Sequence, residues 1–422
     1  MVRPVIIGSP LRPTSPHAAD GSSAASAAAW RKRKRFFYSA LMLMGAAAVL
    51  HSQEPPPIVS SKNKQGDIVL AVDDSPEPKS KSQSKSKQKP SSTSMSQPVG
   101  NFSKFGFYVM GDTPYSIWEE SLLKAQIDNI TKHHLDHALF TVHVGDIQKV
   151  ARTNCEPTHY KKIQRLLRRN SLPTVLLPGD NDWYDCPSQL ESFRVFQEHF
   201  NGMEDYWEDR WPKRTPHFRR WKEHPEYFVM QHEGILFVSI HLIHGDPANE
   251  PEGVFDTRVR RSIDWVNKNV EDYFTRYPSI RGVILLGHSL RSPWTRPFFE
   301  GIAGNFVNST SRVDTPVLYL HGDGHKWSVD TKFAHQLNWK YYTDVQVDQG
   351  GMAHPCIVEI APQVNGKTQP LTKEHDNQHL FGKGLFRIDR QRGRYTSDEL
   401  AQHGAPSGVL KEVNDAAARR TR

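Results

Sequence analysis

The chain has 422 residues, of which 54 are Lys or Arg and 46 are Asp or Glu, so its formal net charge at pH 7 is +8. Much of the positive charge lies in the basic run 31–35, in the Lys-rich stretch 79–89 and at the C-terminus. Charge in such polar stretches is usually solvated, and no helix-turn-helix, zinc-finger or RRM pattern accompanies it. We therefore expect no nucleic-acid partner.

The first predicted element is the uncharged run 36–50, which directly follows the basic cluster. This run is short for a membrane span and suits the apolar region of a signal peptide, yet a long segment precedes it. A single-pass signal anchor and a cleaved signal peptide both fit, and we favour the anchor. Basic residues on its N-terminal side place the N-terminus in the cytosol. The rest of the chain is then expected to be lumenal or extracellular, or secreted if the signal is cleaved.

The composition predicts five parts along the chain. They are a disordered cytosolic N-terminus (1–30), the signal anchor or signal peptide (31–50), a disordered linker rich in Ser, Lys and Pro (51–103), a folded domain (104–390) and a flexible tail (391–422). The linker has too few large apolar side chains to offset the entropy lost on folding. The folded part is long enough for one α/β domain with a substantial core.

Two further features agree with a secretory route. Sequons for N-glycosylation occur at Asn101, Asn129 and Asn308, although such triplets are frequent by chance. The chain also has only three cysteines, Cys155, Cys186 and Cys356. A disulfide between the first two is plausible in an oxidising compartment, and Cys356 is then expected to stay free.

Within the folded part, apolar β-rich runs alternate with helix-like stretches. The runs predicted as strands are 105–110, 138–144, 173–177, 235–242, 282–286 and 316–320, and the predicted helices are 116–133, 160–169, 188–200 and 257–274. Nearly continuous apolar strands are typical of sheets buried on both faces. This alternation predicts an α/β architecture. The segment 202–224, rich in Trp and Arg, is expected to be an irregular surface insertion.

Asp and His, residue types that can bind metals, follow five of these predicted strands. The motifs are Gly111-Asp112, Gly145-Asp146, Gly179-Asp180-Asn181-Asp182, Gly287-His288 and Gly322-Asp323-Gly324-His325. One Gly-Asp pair is most often an ordinary turn. In α/β sheets, however, loops at the carboxyl ends of separate strands converge, and Gly lets the backbone turn sharply there. Carboxylates and imidazoles are ligands of divalent metals, so this array could hold two of them.

The order of these motifs resembles that of the calcineurin-like metallophosphoesterases, a superfamily that includes the purple acid phosphatases, over residues 104–390. The resemblance implies a metallophosphoesterase-type α/β/β/α sandwich with a dinuclear metal site at the strand ends. It implies that the metal ligands are Asp112, Asp146, Asp180, His288, Asp323 and His325. Asp146 would bridge both metals. The catalytic positions would be Asn181 and His288.

Five positions depart from the family pattern. Pro114 stands where the first motif usually has His, and Lys149 stands where purple acid phosphatases have a Tyr ligand, so the first metal is one ligand short. Asp180 replaces Asn, and Asp323 replaces the first His of the last motif. The catalytic His of the third motif is Asn181, whose amide can donate a hydrogen bond to phosphate but cannot act as a general acid at neutral pH.

Other polar residues near the motifs are candidates for supporting the ligands. They are Tyr115, Asp182 and His321, and the last of these could instead contact the substrate. Three further histidines, His143, His241 and His244, are expected to be core or edge residues rather than ligands.

These residues predict a metal-dependent phosphoesterase that hydrolyses phosphate mono- or diesters with a metal-activated hydroxide. The alternative is a catalytically weak protein that uses the same fold for binding, since fold does not imply function. Four carboxylates against two imidazoles favour Mn²⁺ or Mg²⁺, with iron or zinc as the other options. The expected partners are a phosphoester substrate and, through residues 36–50, a membrane.

Overall fold

The computed structural model describes residues 101–207, 218–245, 247–250 and 252–420. The predicted cytosolic N-terminus, the segment 36–50 and nearly all of the linker lie outside these residues. In the part of the chain that is described, no helix combines the length and the apolar character that crossing a bilayer requires.

Strands and helices alternate through the first half of the domain. The strands are β1 (Phe105–Met110), β2 (Ala138–His143), β3 (Thr174–Leu176), β4 (Arg219–Arg220), β5 (Phe228–His232), β6 (Ile235–Ser239), β7 (Gly282–Leu286), β8 (Val317–His321), β9 (Ser328–Asp330), β10 (Tyr342–Gln346), β11 (Cys356–Ile360), β12 (Gln363–Val364), β13 (Lys367–Thr368), β14 (Gln378–Phe381) and β15 (Phe386–Asp389). The α-helices are α1 (Ile117–His133), α2 (Val150–Thr153), α3 (Pro157–Leu167), α4 (Gln189–Phe200), α5 (Val254–Arg276), α6 (Arg296–Val307), α7 (Lys332–Gln336), α8 (Ser397–Gln402) and α9 (Ser407–Arg420). All the predicted strands and helices are present, with ends shifted by a few residues.

The strands form two large mixed sheets. The first has the order β14-β15-β11-β1-β2-β3, and the second has the order β4-β5-β6-β7-β8-β10-β9. Strands β1, β2 and β3 run parallel to one another, as do β6, β7, β8 and β10. Parallel neighbours bring their carboxyl ends to the same edge of a sheet, so the loops after them share one end of the domain.

Alternating side chains place these two sheets face to face. In β1, Phe107 and Val109 contribute to a core that also contains Ile284 and Leu286 of β7, so this core lies between the sheets. The intervening Tyr108 of β1 packs instead with residues of α1, α3 and α4. Successive strand residues point to opposite faces, so each sheet carries helices on its outer side. The second sheet is covered in the same way by α5 and α6. The architecture is therefore the predicted α/β/β/α sandwich.

The C-terminal segment differs from the flexible tail that the sequence predicted from residue 391. It forms α8 and α9, and α8 begins with a capping box in which Thr396 and Glu399 bond each other's backbone N–H groups. Leu400 is fully buried and packs in a small cluster with Leu122, while Trp118 lies against the same cluster. Apolar contacts with α1, which are distant in sequence, thus hold a segment whose polar composition suggests disorder.

The cysteines lie as the sequence analysis expected. A disulfide joins Cys155 and Cys186, which are 31 residues apart, and Cys356 is a buried free thiol. Cys155 follows the second motif and Cys186 follows the third, so the bond ties these two loops together. Closing a loop of this length stabilises a fold by about 4 kcal/mol in the chain-entropy model. The three sequon residues are all exposed, and their glycosylation stays a prediction.

A buried ion pair in the first sheet yields a prediction about pH and stability. Glu359 of β11 accepts from Arg387 Nε at 2.7 Å and lies 2.5 Å from Lys104 Nζ. Burial raises the pKa of Glu359, but the hydrogen bonds from Lys104 and Arg387 outweigh it and hold this pKa below its ordinary value. The charged form of Glu359 is thus favoured by folding.

Replacing Glu359 with Gln should lower the free energy of unfolding by about 3 kcal/mol at pH 7, because it leaves Arg387 buried beside a neutral group. A lowered folded-state pKa gives stability that is complete above the ordinary Glu value of about 4.3 and is lost as the pH falls through the folded value. The deficit should therefore shrink in urea titrations below pH 4.3. Glu374→Gln, at an exposed partner of Arg387, is the control and should cost far less. An equal deficit at pH 7 and pH 3 would contradict this account.

Candidate metal centre

The six candidate ligands converge where the strand ends of the two sheets meet. Asp112, Asp146 and Asp180 follow β1, β2 and β3 of the first sheet, whereas His288 and the pair Asp323 and His325 follow β7 and β8 of the second. Ligand atoms of Asp112, Asp146 and His288 lie within 4.8 Å of one another, and so do those of Asp180, His288 and Asp323. The two groups share His288. The structure thus brings together residues that are up to about 200 positions apart in the sequence.

Four of these candidate ligands have a backbone conformation that residues other than Gly rarely adopt. The φ angles are 54° at Asp112, 63° at Asp146, 69° at Asp323 and 61° at His325. Left-handed backbone is uncommon for residues other than Gly, and such conformations cluster at functional sites. Here it directs the side chain after each strand back over the sheet edge. The motif glycines therefore precede residues that themselves make the turn.

Two motif glycines are required because a ligand lies directly against them. A Cβ atom at Gly179 would lie 2.1 Å from Asp146 Oδ1 and 2.5 Å from Asp146 N. A Cβ atom at Gly322 would lie 2.3 Å from Asp112 Oδ2. Both distances are far below contact distance, so any side chain at either position would displace a candidate ligand.

Tyr115 lies inside the first group, which the sequence alone did not show. Its hydroxyl group donates to Asp146 Oδ2 at 2.7 Å and lies 3.3 Å from both Asp112 Oδ1 and His325 Nε2. Lys149, at the position where purple acid phosphatases have Tyr, is exposed and has its ammonium group 5.4 Å from the centre of the Tyr115 ring. The phenol oxygen therefore lies within hydrogen-bond distance of Asp112, Asp146 and His325 and is a further candidate ligand.

The orientation of His288 is set by the backbone. Its Nδ1–H group donates to the carbonyl oxygen of Val144 at 2.8 Å, which leaves Nε2 facing Asp180 Oδ1 at 3.0 Å and Asp146 Oδ1 at 3.4 Å. A metal-binding His commonly fixes its second nitrogen on a carbonyl in this way. His288 is completely buried, so its ring has one direction available.

Asp182 supports the loops and does not point to the ligand groups. It accepts three backbone N–H bonds, from Asp146 at 2.9 Å, Ile147 at 2.8 Å and Gly179 at 2.8 Å. Asn181 donates from its backbone N to Asp146 Oδ1 at 3.0 Å and from its side chain to Asp146 Oδ2 at 2.6 Å. Both residues therefore hold the candidate bridging carboxylate in place, and a contact between Asn181 and phosphate stays a prediction.

Two histidines near the motifs face away from the site. His321 bonds the carbonyl oxygen of Gly322 at 2.9 Å and Asp344 Oδ1 at 2.8 Å, so both of its ring nitrogens are engaged and a substrate contact does not fit. His143 is fully buried and bonds the carbonyl oxygen of Thr113 at 2.9 Å. Burial lowers the pKa of His143 to about 4, as suits a neutral core residue.

His244, expected from the sequence to be a core or edge residue, lies against the candidate ligand Asp323. Its Nδ1 lies 3.1 Å from Asp323 Oδ2, and its side chain is 44% exposed. The available signal was its position just after β6, which runs parallel to β7 in the same sheet. His241 matches the expectation: it is buried and its ring stacks on Phe193.

Histidines are the only basic partners of the site's carboxylates among the described residues. In the described ranges, no Lys or Arg forms an ion pair with Asp112, Asp146, Asp180 or Asp323, whose charged partners are all histidines. Burial raises the pKa of Asp146 well above its ordinary value, and the neighbouring carboxylates of Asp180 and Asp112 add to this rise against the opposing charge of His288. Burial also raises the pKa of Asp112.

This donor set fits divalent cations. Four carboxylates packed together with no Lys or Arg are costly, and a divalent ion is the kind of charge that relieves their repulsion. The carboxylates, the phenol group and the imidazoles supply the oxygen and nitrogen donors that metals of this class take. Asp112, Asp146, Tyr115 and His325 would hold one ion, whereas Asp146, Asp180, His288 and Asp323 would hold a second.

No protein-family model matches the chain, and no curated protein matches it either. Among solved structures, GAP50, described as the anchor in the inner membrane complex of Plasmodium, is 10% identical with a TM-score of 0.36, over 63% of this chain and 86% of that chain. The sulfate thiohydrolase SoxB of Thermus thermophilus, in complex with glycerol, is 12% identical with a TM-score of 0.32, over 70% of this chain and 45% of that chain. At such scores neither likeness bears on the chemistry of the site.

Proposed function

We propose that the domain is a metal-dependent phosphoesterase with a dinuclear centre. The observation that supports this most strongly is the convergence of Asp112, Asp146, Asp180, His288 and Asp323 at one edge of the sandwich, with His325 3.5 Å from Asp112. When bound, two metal ions supply Lewis acidity, which polarises a phosphoryl oxygen and lowers the pKa of water. The oxygen-rich donor set favours Mn²⁺ or Mg²⁺.

The chain's own residues position the reacting groups. Asp146 is held from both sides by Asn181 and Tyr115, so its two carboxylate oxygens have fixed directions. The amide of Asn181 has a second N–H that remains for a phosphoryl oxygen. Lys149, which lies on the exposed side of Tyr115, would add positive charge at the rim and attract an anionic substrate.

The second candidate function is binding without turnover. It is favoured by one observation, which is that Asn181 stands in the position of the family's proton donor and cannot supply a proton. If the domain is instead an enzyme that lacks this proton donor, it should hydrolyse esters with a good leaving group faster than esters with a poor one, because an alkoxide leaving group needs protonation.

The experiment that tests the proposal combines metal analysis with hydrolysis. The domain, produced through the secretory route, is analysed for bound metal and assayed with nitrophenyl phosphate mono- and diesters in Mn²⁺, Mg²⁺, Zn²⁺ and Fe²⁺. We expect two metal ions per chain and hydrolysis that requires them. Metal binding without hydrolysis of either ester would support the binding function, and absence of metal binding would reject both.

Tyr115 provides a specific prediction for the first metal. Replacing Tyr115 with Phe removes only the phenol oxygen that lies among Asp112, Asp146 and His325. Affinity for one of the two ions should fall by about 10- to 100-fold or more, the range seen when even an outer partner of a metal is removed. Calorimetric titration with Mn²⁺ measures the change. Tyr341→Phe, at a partly exposed tyrosine over which Lys340 and Lys383 lie, is the control. Equal affinities in the two variants would show that the phenol group is not a ligand.

A further inference from the structure

Asp323 departs from the family pattern, and an imidazole lies beside it. Where the resemblance leads one to expect His, this chain has a carboxylate, which leaves the second group, Asp180, His288 and Asp323, with two carboxylates and one imidazole. His244 Nδ1 lies 3.1 Å from Asp323 Oδ2. The only other group bonded to Asp323 Oδ2 in the described part of the chain is the backbone N–H of Leu290, at 3.3 Å.

The loop that carries His244 is fixed to the site by two separate contacts. The carbonyl oxygen of Leu242 accepts from the backbone N–H of Ser289, the residue after His288, at 3.0 Å. On the other side of His244, the backbone of Gly245 lies so close to Tyr184 that a Cβ atom would come within 2.7 Å of its ring. His244 is therefore held between the third-motif loop and the loop that carries His288.

The relation of His244 to Asp323 repeats a relation already seen in the site. His288 Nε2 lies 3.0 Å from Asp180 Oδ1, and Tyr115 Oη lies 2.7 Å from Asp146 Oδ2. In each case two candidate donors to one ion face each other at hydrogen-bond distance. Side chains that converge on a common point have this geometry. In the described part of the chain the carboxylate of Asp182, by contrast, accepts from backbone N–H groups alone, those of Asp146, Ile147 and Gly179.

We propose that His244 is a ligand of the second metal ion and replaces the imidazole that Asp323 displaced from the last motif. This inference rests on the proposed dinuclear centre and adds a residue to it. The second ion would then be held by Asp146, Asp180, His288, Asp323 and His244. The imidazole of His244 thus comes from the loop after β6, whereas the family's motif order would place this imidazole after β8, at position 323.

The test is a double-substitution cycle read by metal affinity. His244→Ala should weaken binding of the second Mn²⁺ ion by about 10- to 100-fold in calorimetric titration. Asp323→His restores the family residue and should make His244 dispensable, so adding His244→Ala to Asp323→His should change the affinity by no more than about twofold. The matched control is His375→Ala, since His375 lies 3.0 Å from Asp389 and is 46% exposed, much as His244 is beside Asp323.

A second measurement separates a ligand from a residue that only orients Asp323. Pulsed EPR of the Mn²⁺-loaded protein detects nitrogens bonded to the metal, and the unmodified chain should lose one imidazole coupling on His244→Ala. Weaker affinity with unchanged nitrogen coupling would overturn the ligand assignment in favour of a positioning role. Unchanged affinity would overturn it outright while leaving the dinuclear centre in place. If the unmodified chain binds no Mn²⁺, both the centre and this ligand are rejected.

Discussion

Asp146→Asn should remove binding of both metal ions and leave the metal-free fold at least as stable as before. Asp146 is the candidate bridge, with one oxygen directed to His288 and the other to Tyr115. An amide presents one neutral oxygen where the carboxylate presents two that share a negative charge. We expect Mn²⁺ affinity to fall by more than about 100-fold, beyond the loss caused by removing an outer partner. Ester hydrolysis should be undetectable in the same preparation.

The expected stability of this variant follows from its surroundings. Asp146 is buried beside Asp112 and Asp180, and burial together with these neighbours raises its pKa well above the ordinary value. Removing a carboxylate that is unfavourable in the metal-free fold therefore should not lower the midpoint of urea unfolding without metal, and should raise it if the group is ionised. With Mn²⁺ present the unmodified chain should instead be the more stable of the two, because only it gains stability by binding Mn²⁺.

The control for this pair of measurements is Asp128→Asn on helix α1. Asp128 is partly exposed and pairs with Lys124 and Arg169, so it is a carboxylate with ordinary surface partners. Its replacement should leave Mn²⁺ affinity unchanged. If Asp146→Asn bound both ions with the affinity of the unmodified chain, the assignment of the bridge would be wrong.

The opposite effects of Asp146→Asn on metal binding and on metal-free stability have one cause. Its ligands are packed more closely than their charges favour, and four of them have left-handed backbone. The surrounding structure holds this arrangement through the disulfide of Cys155 and Cys186 and through the backbone bonds to Asp182. Such strain is tolerated when the rest of the fold over-determines it, and the domain has three large cores that can do so.

Much of the architecture could be predicted because it is local. Apolar runs ended by Gly mark β1, β2 and β7 directly, and the alternation with helices indicates layers. The order of strands within each sheet was not predictable, because β11 pairs between β1 and β15 although it lies far from β1 in the sequence. The C-terminal helices were missed for a similar reason. Their own sequence is polar, and their stability depends on contacts with α1.

In the site, likewise, the motifs could be recognised in the sequence, whereas the directions of the side chains could not. Six candidate ligands were identified because each lies two to four residues beyond the end of a strand. The structure brings five of them into two groups and places His325 beside Asp112. Tyr115 lies three residues after Asp112, whose backbone is left-handed, and no residue type reveals that conformation or the inward direction of the Tyr115 side chain. His244 lies five residues beyond the end of β6, so its direction depends on the path of a loop. Both residues lie five positions beyond a strand end, where the path of the loop decides the direction of a side chain.

Gly179→Ala should be among the most damaging single-methyl changes in the domain. The added Cβ would lie 2.5 Å from the backbone N of Asp146 as well as 2.1 Å from its carboxylate, so rotating the side chain cannot relieve the contact. Overpacking of this kind costs about 3 kcal/mol or more when backbone must shift. The midpoint of urea unfolding should fall accordingly, and any folded fraction should bind Mn²⁺ poorly because Asp146 has moved.

Gly408→Ala is the matched control, since Gly408 is exposed in α9 with no atom within 4 Å of an added Cβ. There the higher helix propensity of Ala should raise stability by about 0.5–1 kcal/mol. If Gly179→Ala retained both the unfolding midpoint and the Mn²⁺ affinity of the unmodified chain, the close packing of the third-motif turn on Asp146 would be disproved.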